Sequence, residues 1–241
     1  MRLSYAVQER KGAAMLTGVF GCGKTLLAQA LFERLKRGSY RIALITNPQL
    51  EYAEFLRAVA TRLGATGLPI KKTELLTDFL LDVLGEILEN NANDGKDTVI
   101  IIDEAHVIEN KKIFEELRML LNFQRKDRFL LTLLLLGQPE LRKNIDNIKQ
   151  LAQRIAVRYH LDRLNKQETE SYIMHRLKIA GNTDSIFTAE ATKLIYQQSG
   201  GIPRRINHIC DMSLFIGFGK KVDKIDEELI KETVSDLEGQ V

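Results

Sequence analysis

The 241 residues include 35 Lys and Arg against 32 Asp and Glu, for a net charge of +3, with 44% hydrophobic and 28% charged side chains. This is the balance of an ordinary soluble globular chain, long enough to bury the core of one large or two small domains. The first 163 residues hold 25 basic against 20 acidic side chains and the remainder 10 against 12, which permits contact with nucleic acid or an acidic membrane surface without arguing for either. Two cysteines, Cys22 and Cys210, show no framework spacing and point to a reducing compartment. The opening "MRLSYAVQER" has no apolar leader, and "FLLTLLLLG" (129–137) is too short to span a bilayer as a helix. A cytoplasmic chain without a transmembrane segment is expected.

In chain order, apolar runs at 13–19, 41–47, 98–103, 130–137 and 156–161 lack alternation, which suits strands covered on both faces of a parallel sheet. Helical patterns lie between them at 24–37, 51–63, 73–90, 110–123 and 139–153. The alternation predicts an α/β fold with a five-stranded, mainly parallel sheet and right-handed crossovers. After residue 163 the strand signal ends. Asn165 and Glu168 form a capping-box pattern, opening a helix to about 180. A second helix is expected from Thr188 to Ser199, stopped by Gly200-Gly201. A third begins near Pro203, with a stripe of Ile202, Ile206, Ile209, Cys210, Ser213 and Leu214, and a fourth covers 226–238. The division predicted is an α/β domain at 1–163 and a small all-α domain at 164–241.

"GVFGCGKT" (18–25) fits G-x-x-x-x-G-K-[ST] between a strand and a helix, the context in which that motif cradles phosphates. Gly18, Gly21 and Gly23 let the backbone turn so that N–H groups face an anion, with the helix N-terminus behind them. Lys24 supplies charge to the β- and γ-phosphates, and the Thr25 hydroxyl is a Mg²⁺ ligand. Val19, Phe20, Cys22 and Leu26 complete the expected ATP-contacting segment. Cys22, beside Lys24 and a helix start, has surroundings that favour a thiolate, although a small filler at a variable position is the plainer reading.

"TVIIIDEAHVIEN" (98–110) raises a choice. Its D-E-A-H letters are a helicase tag, but that class needs two nucleotide-binding lobes, and fewer than 80 residues of helical pattern follow the one core here. Behind a phosphate loop, the strand end instead offers Asp103 as the second Mg²⁺ carboxylate and Glu104 as the group that orients or deprotonates the attacking water. Ala105 and His106 are read as outside the chemistry, His106 being a polar neighbour of the site.

A helical appendix after the fifth strand resembles the lid of AAA+ ATPases, which are P-loop NTPases. That resemblance implies further roles. Gln138, after the fourth strand, becomes a γ-phosphate sensor, and Arg154 in "LAQRIAVRYHL" an arginine finger, with Arg158 the competing candidate. Arg204 in "GGIPRRIN" becomes the second sensor, with Arg205 as its neighbour. A finger acting in trans implies a head-to-tail homo-oligomer, ring or filament.

"LTGVFGCGKT", "VIIIDEAH", "LLLLGQPEL", "LAQRIAVRYHL", "YIMHRLKIAG" and "SGGIPRRINHICDMSL" occur in this order. Together they resemble the general secretion pathway protein A (ExeA-like) family over about residues 3–219. The resemblance implies an ATP-driven assembly factor working on a secretion-system partner. Longer relatives carry a membrane span and a peptidoglycan-binding domain and help place the secretin of type II secretion. Against that pattern, this sequence is expected to supply little of the upstream segment that helps hold adenine there and to lack a membrane or wall-binding part. The same ATPase family includes transposition regulators that form filaments on DNA. Three readings follow: an AAA+ ATP hydrolase, a DNA-binding ATPase regulating transposition, and a nucleotide-gated interaction module with little turnover.

Overall fold

The computed structural model describes residues 2–36, 39–69, 76–126, 128–182 and 184–238. Its contacts divide the chain into two compact units, Met1–Gly18 with Lys24–Leu161, and Val19–Gly23 with Asp162–Val241.

In the first unit, strands β1 (Ala13–Gly18), β2 (Tyr40–Ile45), β3 (Asp97–Ile102), β6 (Leu131–Gly137) and β7 (Ile155–Leu161) form one sheet in the order β2-β3-β6-β1-β7. Every pairing is parallel. The five expected strands are all present. The helices of this unit are α1 (Arg2–Gln8), α2 (Lys24–Lys36), α3 (Tyr52–Arg62), α4 (Thr77–Asn93), α5 (Lys111–Leu120), α6 (Glu140–Asp146) and α7 (Lys149–Arg154).

Alternate residues of a strand face opposite sides of the sheet. Ala13 and Met15 join Phe55, Leu84 and Phe114 in one apolar cluster, while Ala14 and Leu16 join Ala28, Leu31 and Val99 in another. Both faces are therefore cores. This is why β6 reads as an unbroken "LTLLLLG" and is buried at every position. Each leucine so buried contributes about 1.5–3 kcal/mol. The edge strand β7 alternates in burial instead.

The second unit contains α8 (Lys166–Ile179), α9 (Ala189–Ser199), α10 (Pro203–Lys220) and α11 (Glu227–Glu238). The capping box read from the sequence closes α8: Glu168 N–H donates to Asn165 Oδ1 at 2.9 Å, and Asn165 N–H to Glu168 Oε2 at 2.8 Å. Thr188 caps α9, and Gly200 ends it in the left-handed region. Ile206, Ile209 and Ser213 of α10 are buried, the two isoleucines packing with Ile173, Ile195 and Ile230.

Three details differ from the sequence reading. The helix expected over 139–153 is two helices, because Ile148 N–H bonds Ile145 O three residues back and Ile148 leaves helical geometry. The preceding Asn144, Asp146 and Asn147 are weak helix formers. The helix expected over 73–90 starts at Thr77 and runs to Asn93; positions 73–75, like Arg37 of the helix expected over 24–37, lie outside the described residues. The short helix α1 and an antiparallel pair of two-residue strands, β4 (Gln124–Arg125) with β5 (Arg128–Phe129), gave no sequence signal.

Candidate functional site

In the first unit, the C-terminal ends of β3, β6 and β1 lie side by side, since these three strands are neighbours and parallel. Open α/β sheets bind their ligands at that edge. β1 ends at Gly18, and α2 begins at Lys24 and Thr25. The Lys24 side chain is 4% exposed, and its Nζ donates to Gly18 O at 2.9 Å. This contact keeps the ammonium against the mouth of the loop. Thr25 is exposed on the first turn of α2, and Leu26 beside it is 70% exposed.

Asp103 follows β3 directly and is 2% exposed. Its N–H extends the ladder to Ile45 O at 2.8 Å, and its Oδ1 accepts from Glu104 N–H at 2.9 Å. Glu104 stands in the left-handed region with φ of 52°, a conformation that costs a non-glycine residue about 1 kcal/mol or more. It opens a short 3₁₀ turn, Ala105–Val107. Glu104 Oε2 lies 3.6 Å from His106 Nδ1. Gln138 follows β6 at the same edge, and its carbonyl accepts from Leu141 N–H at 3.0 Å. Gly137 leaves room for the turn: a Cβ there would lie 3.1 Å from His106 N and 3.0 Å from Leu141 Cδ2.

Mg²⁺ of the kind that rides on phosphates needs only one or two protein oxygens. The Thr25 hydroxyl and the Asp103 carboxylate are hard oxygen donors that fit it. Among the described residues, no three His, Cys, Asp or Glu side chains gather into a metal site of their own.

The two finger candidates, Arg154 and Arg158, fall elsewhere in the first unit. Arg154 ends α7 immediately before β7, at the N-terminal edge of the sheet, where Ile155 is level with Ala13. One chain therefore does not bring Arg154 together with Gly18, Asp103 and Gln138. Its Nη2 donates to Asn122 Oδ1 at 3.0 Å, and its guanidinium lies 5.9 Å from the Phe129 ring centre. Arg158, on β7, is paired with Asp146 at 2.6 Å and donates to Ala152 O at 3.1 Å. Of the two finger candidates, Arg158 has its charge matched by a carboxylate and Arg154 is held by neutral groups.

In the second unit, the loop Val19–Gly23 packs with the start of α10. Arg204 N–H donates to Gly21 O at 3.2 Å, and the Arg204 guanidinium sits 4.8 Å above the Phe20 ring. Gly21 has φ of 82°, and a Cβ on it would meet Arg204 Cβ at 2.9 Å and Ile202 Cγ2 at 3.1 Å. The position accepts no side chain. An open cleft of about 920 Å³ is lined by Phe20, Ile202, Arg204, Arg205, His208 and Leu237, among others. Cys22 is buried, at 7% exposure. Burial, with the Asp211 charge nearby, pushes the Cys210 thiol up to about 12. The contacts that hold Arg154 and the approach of His106 Nδ1 to Glu104 had no signal in the sequence, because they join residues separated by whole elements or by a backbone kink.

A family model described as AAA domain matches residues 7–145. Over 226 residues the chain is 38% identical to General secretion pathway protein A of Aeromonas hydrophila, a match covering 92% of this chain and 40% of that protein. It is 23% identical over 258 residues to an uncharacterized HTH-type transcriptional regulator of Methanocaldococcus jannaschii, covering 93% of this chain and 63% of that one. The chain thus spans less than two thirds of the length of either relative. Cdc6p from Pyrobaculum aerophilum superposes with a TM-score of 0.76 at 17% identity, over 98% of this chain and 65% of that one, a likeness of fold. Among the described residues, no helix is long and apolar enough to cross a membrane.

Proposed function

We propose that this chain, which belongs to the AAA domain family, binds ATP with Mg²⁺ and hydrolyses it to drive assembly or remodelling of a partner complex. The observation that carries this reading is the edge formed by β1, β6 and β3, where buried Lys24 at the loop mouth and the Asp103-Glu104 pair follow neighbouring strands. Lys24 holds the β- and γ-phosphates, and Thr25 and Asp103 hold the ion. When bound, Mg²⁺ neutralises charge on the phosphate oxygens. Glu104 orients the attacking water and takes its proton, and Gln138 reads the γ-phosphate. Arg204, whose N–H donates to Gly21 O of the phosphate loop, is the second sensor of this reading. Arg154 serves the site of a neighbouring copy, which makes the working form a head-to-tail ring or filament.

The likeness to General secretion pathway protein A supports a secretion-type assembly partner and work in the cytoplasm. The domain division at 163/164 belongs to the same reading. Titrating a fluorescent ATP analogue into wild type and Lys24→Ala, with and without Mg²⁺, tests the binding step. Mg²⁺-dependent binding that the substitution abolishes is expected. Equal affinity in both proteins would remove Lys24 and its loop from the account.

A second reading, a DNA-binding AAA+ ATPase acting in transposition, has two supports: the excess of basic over acidic residues before position 163 and the likeness to a protein named as a transcriptional regulator. A gel shift over a salt series with and without ATP decides it. ATP-dependent retention at moderate salt favours DNA, and its absence leaves the first reading.

A further inference from the structure

We infer that His106 is a positioning residue for Glu104, tethering one carboxylate oxygen through Nδ1. This rests on the reading of Glu104 as the group that activates water. His106 Nδ1 is buried and has no hydrogen-bond partner, and it stands 3.6 Å from Glu104 Oε2. A buried polar nitrogen is costly to leave unpaired. Closing less than an ångström brings this pair to hydrogen-bond length. In the neutral tautomer with the proton on Nδ1, the imidazole donates to Oε2 and leaves Oε1 to take the proton from water.

The backbone holds the imidazole in reach. Val107 N–H donates to Glu104 O at 3.0 Å, closing the turn, and Asn144 Nδ2 donates to His106 O at 3.4 Å. Gly137 gives the His106 N–H room that a side chain would fill. Glu104 itself is held at φ of 52°. A backbone kept in a sparsely populated region is how structures fix a reactive side chain. The same turn touches the end of β6 and α6, so Gln138 and Glu104 share one support.

The test compares His106→Ala, His106→Asn and His106→Gln in the full chain, measuring phosphate release with Mg²⁺ and ATP. Asparagine carries its amide nitrogen near the place of Nδ1, and glutamine near that of Nε2. Alanine should lower kcat about tenfold or more with KM changed less than about twofold. Asparagine should restore most of the rate, and glutamine should not. Wild-type kcat in the alanine variant, or equal rates for asparagine and glutamine, overturns the inference. If alanine prevents folding, the asparagine and glutamine pair decides alone. Glu104→Gln measured alongside separates the two failures. Undiminished turnover there refutes the reading of Glu104, whereas lost turnover with equal asparagine and glutamine rates refutes only the role of His106.

Discussion

Replacing Arg154 by alanine should abolish turnover without disturbing nucleotide binding by a single chain. Arg154 precedes Ile155, which is level with Ala13, while Gly18 is level with Leu161 at the other end of β7. Seven residues of strand at about 3.3 Å each separate the guanidinium from the loop mouth by roughly 20 Å, far beyond hydrogen-bond reach. The residue can complete a site only on another copy. A finger of this kind contributes about 10³-fold or more to the rate. Losing the bond to Asn122 and the approach to Phe129 costs stability only about 1 kcal/mol, because the group is partly solvated.

The assay is phosphate release against protein concentration. Wild type should gain specific activity as it assembles, and Arg154→Ala should stay inactive at every concentration. An equimolar mixture of Arg154→Ala with Glu104→Gln should recover about a quarter of the wild-type rate, since one head-to-tail contact in four joins an intact Glu104 to an intact Arg154. An alanine variant as active as wild type, or a mixture with no regained activity while both variants co-assemble, would show that Arg154 does not act on a neighbouring copy. Arg158→Ala, which removes an arginine already paired with Asp146, should retain turnover in the same assay.

Gly137→Ala should lower kcat several-fold while the protein stays folded, because the new Cβ presses on His106 N; steady-state kinetics with a thermal melt checks this. Asn165→Ala, which removes one half of the α8 capping box, should cost about 1 kcal/mol in urea unfolding of the helical segment. Cys210, with its thiol raised from 9.0 to about 12 by burial, should react with a thiol reagent about 10³-fold more slowly than a free cysteine near pH 8. The sign is that of a group whose thiolate is disfavoured, so reactivity rises only as pH approaches the raised value. Timed labelling of the native and urea-unfolded chain measures the difference.

The sheet was legible because its central strands β1, β3 and β6 are buried on both faces and read as plain apolar runs. "TVIIID" and "LLTLLLLG" have nothing else to be. The helical unit announced itself through chemistry at its ends, with Asn165 and Glu168 opening α8 and Pro203 opening α10. The antiparallel pairing of β4 and β5 was hidden because two-residue strands carry no periodicity, and with it went the support that Asn122 and Phe129 give to Arg154. The break at Asn147-Ile148 was hidden because the apolar spacing of 139–153 continues across it. For the candidate site, the tetrapeptide Asp103–His106 was informative only in context. A helicase box in isolation, it became a strand end two strands from a phosphate loop. What no pattern carried was the left-handed turn at Glu104, and without that turn His106 has no reason to face the carboxylate.

We propose above all that Glu104 performs hydrolysis at a nucleotide held by the phosphate loop. Phosphate release from ATP with Mg²⁺ by wild type and Glu104→Gln, at protein concentrations high enough for assembly, tests it most directly. Wild type should turn over, and the glutamine variant should bind ATP with unchanged affinity while turnover falls at least about 10²-fold. Equal rates in the two proteins, or no release by wild type at any concentration, would contradict it.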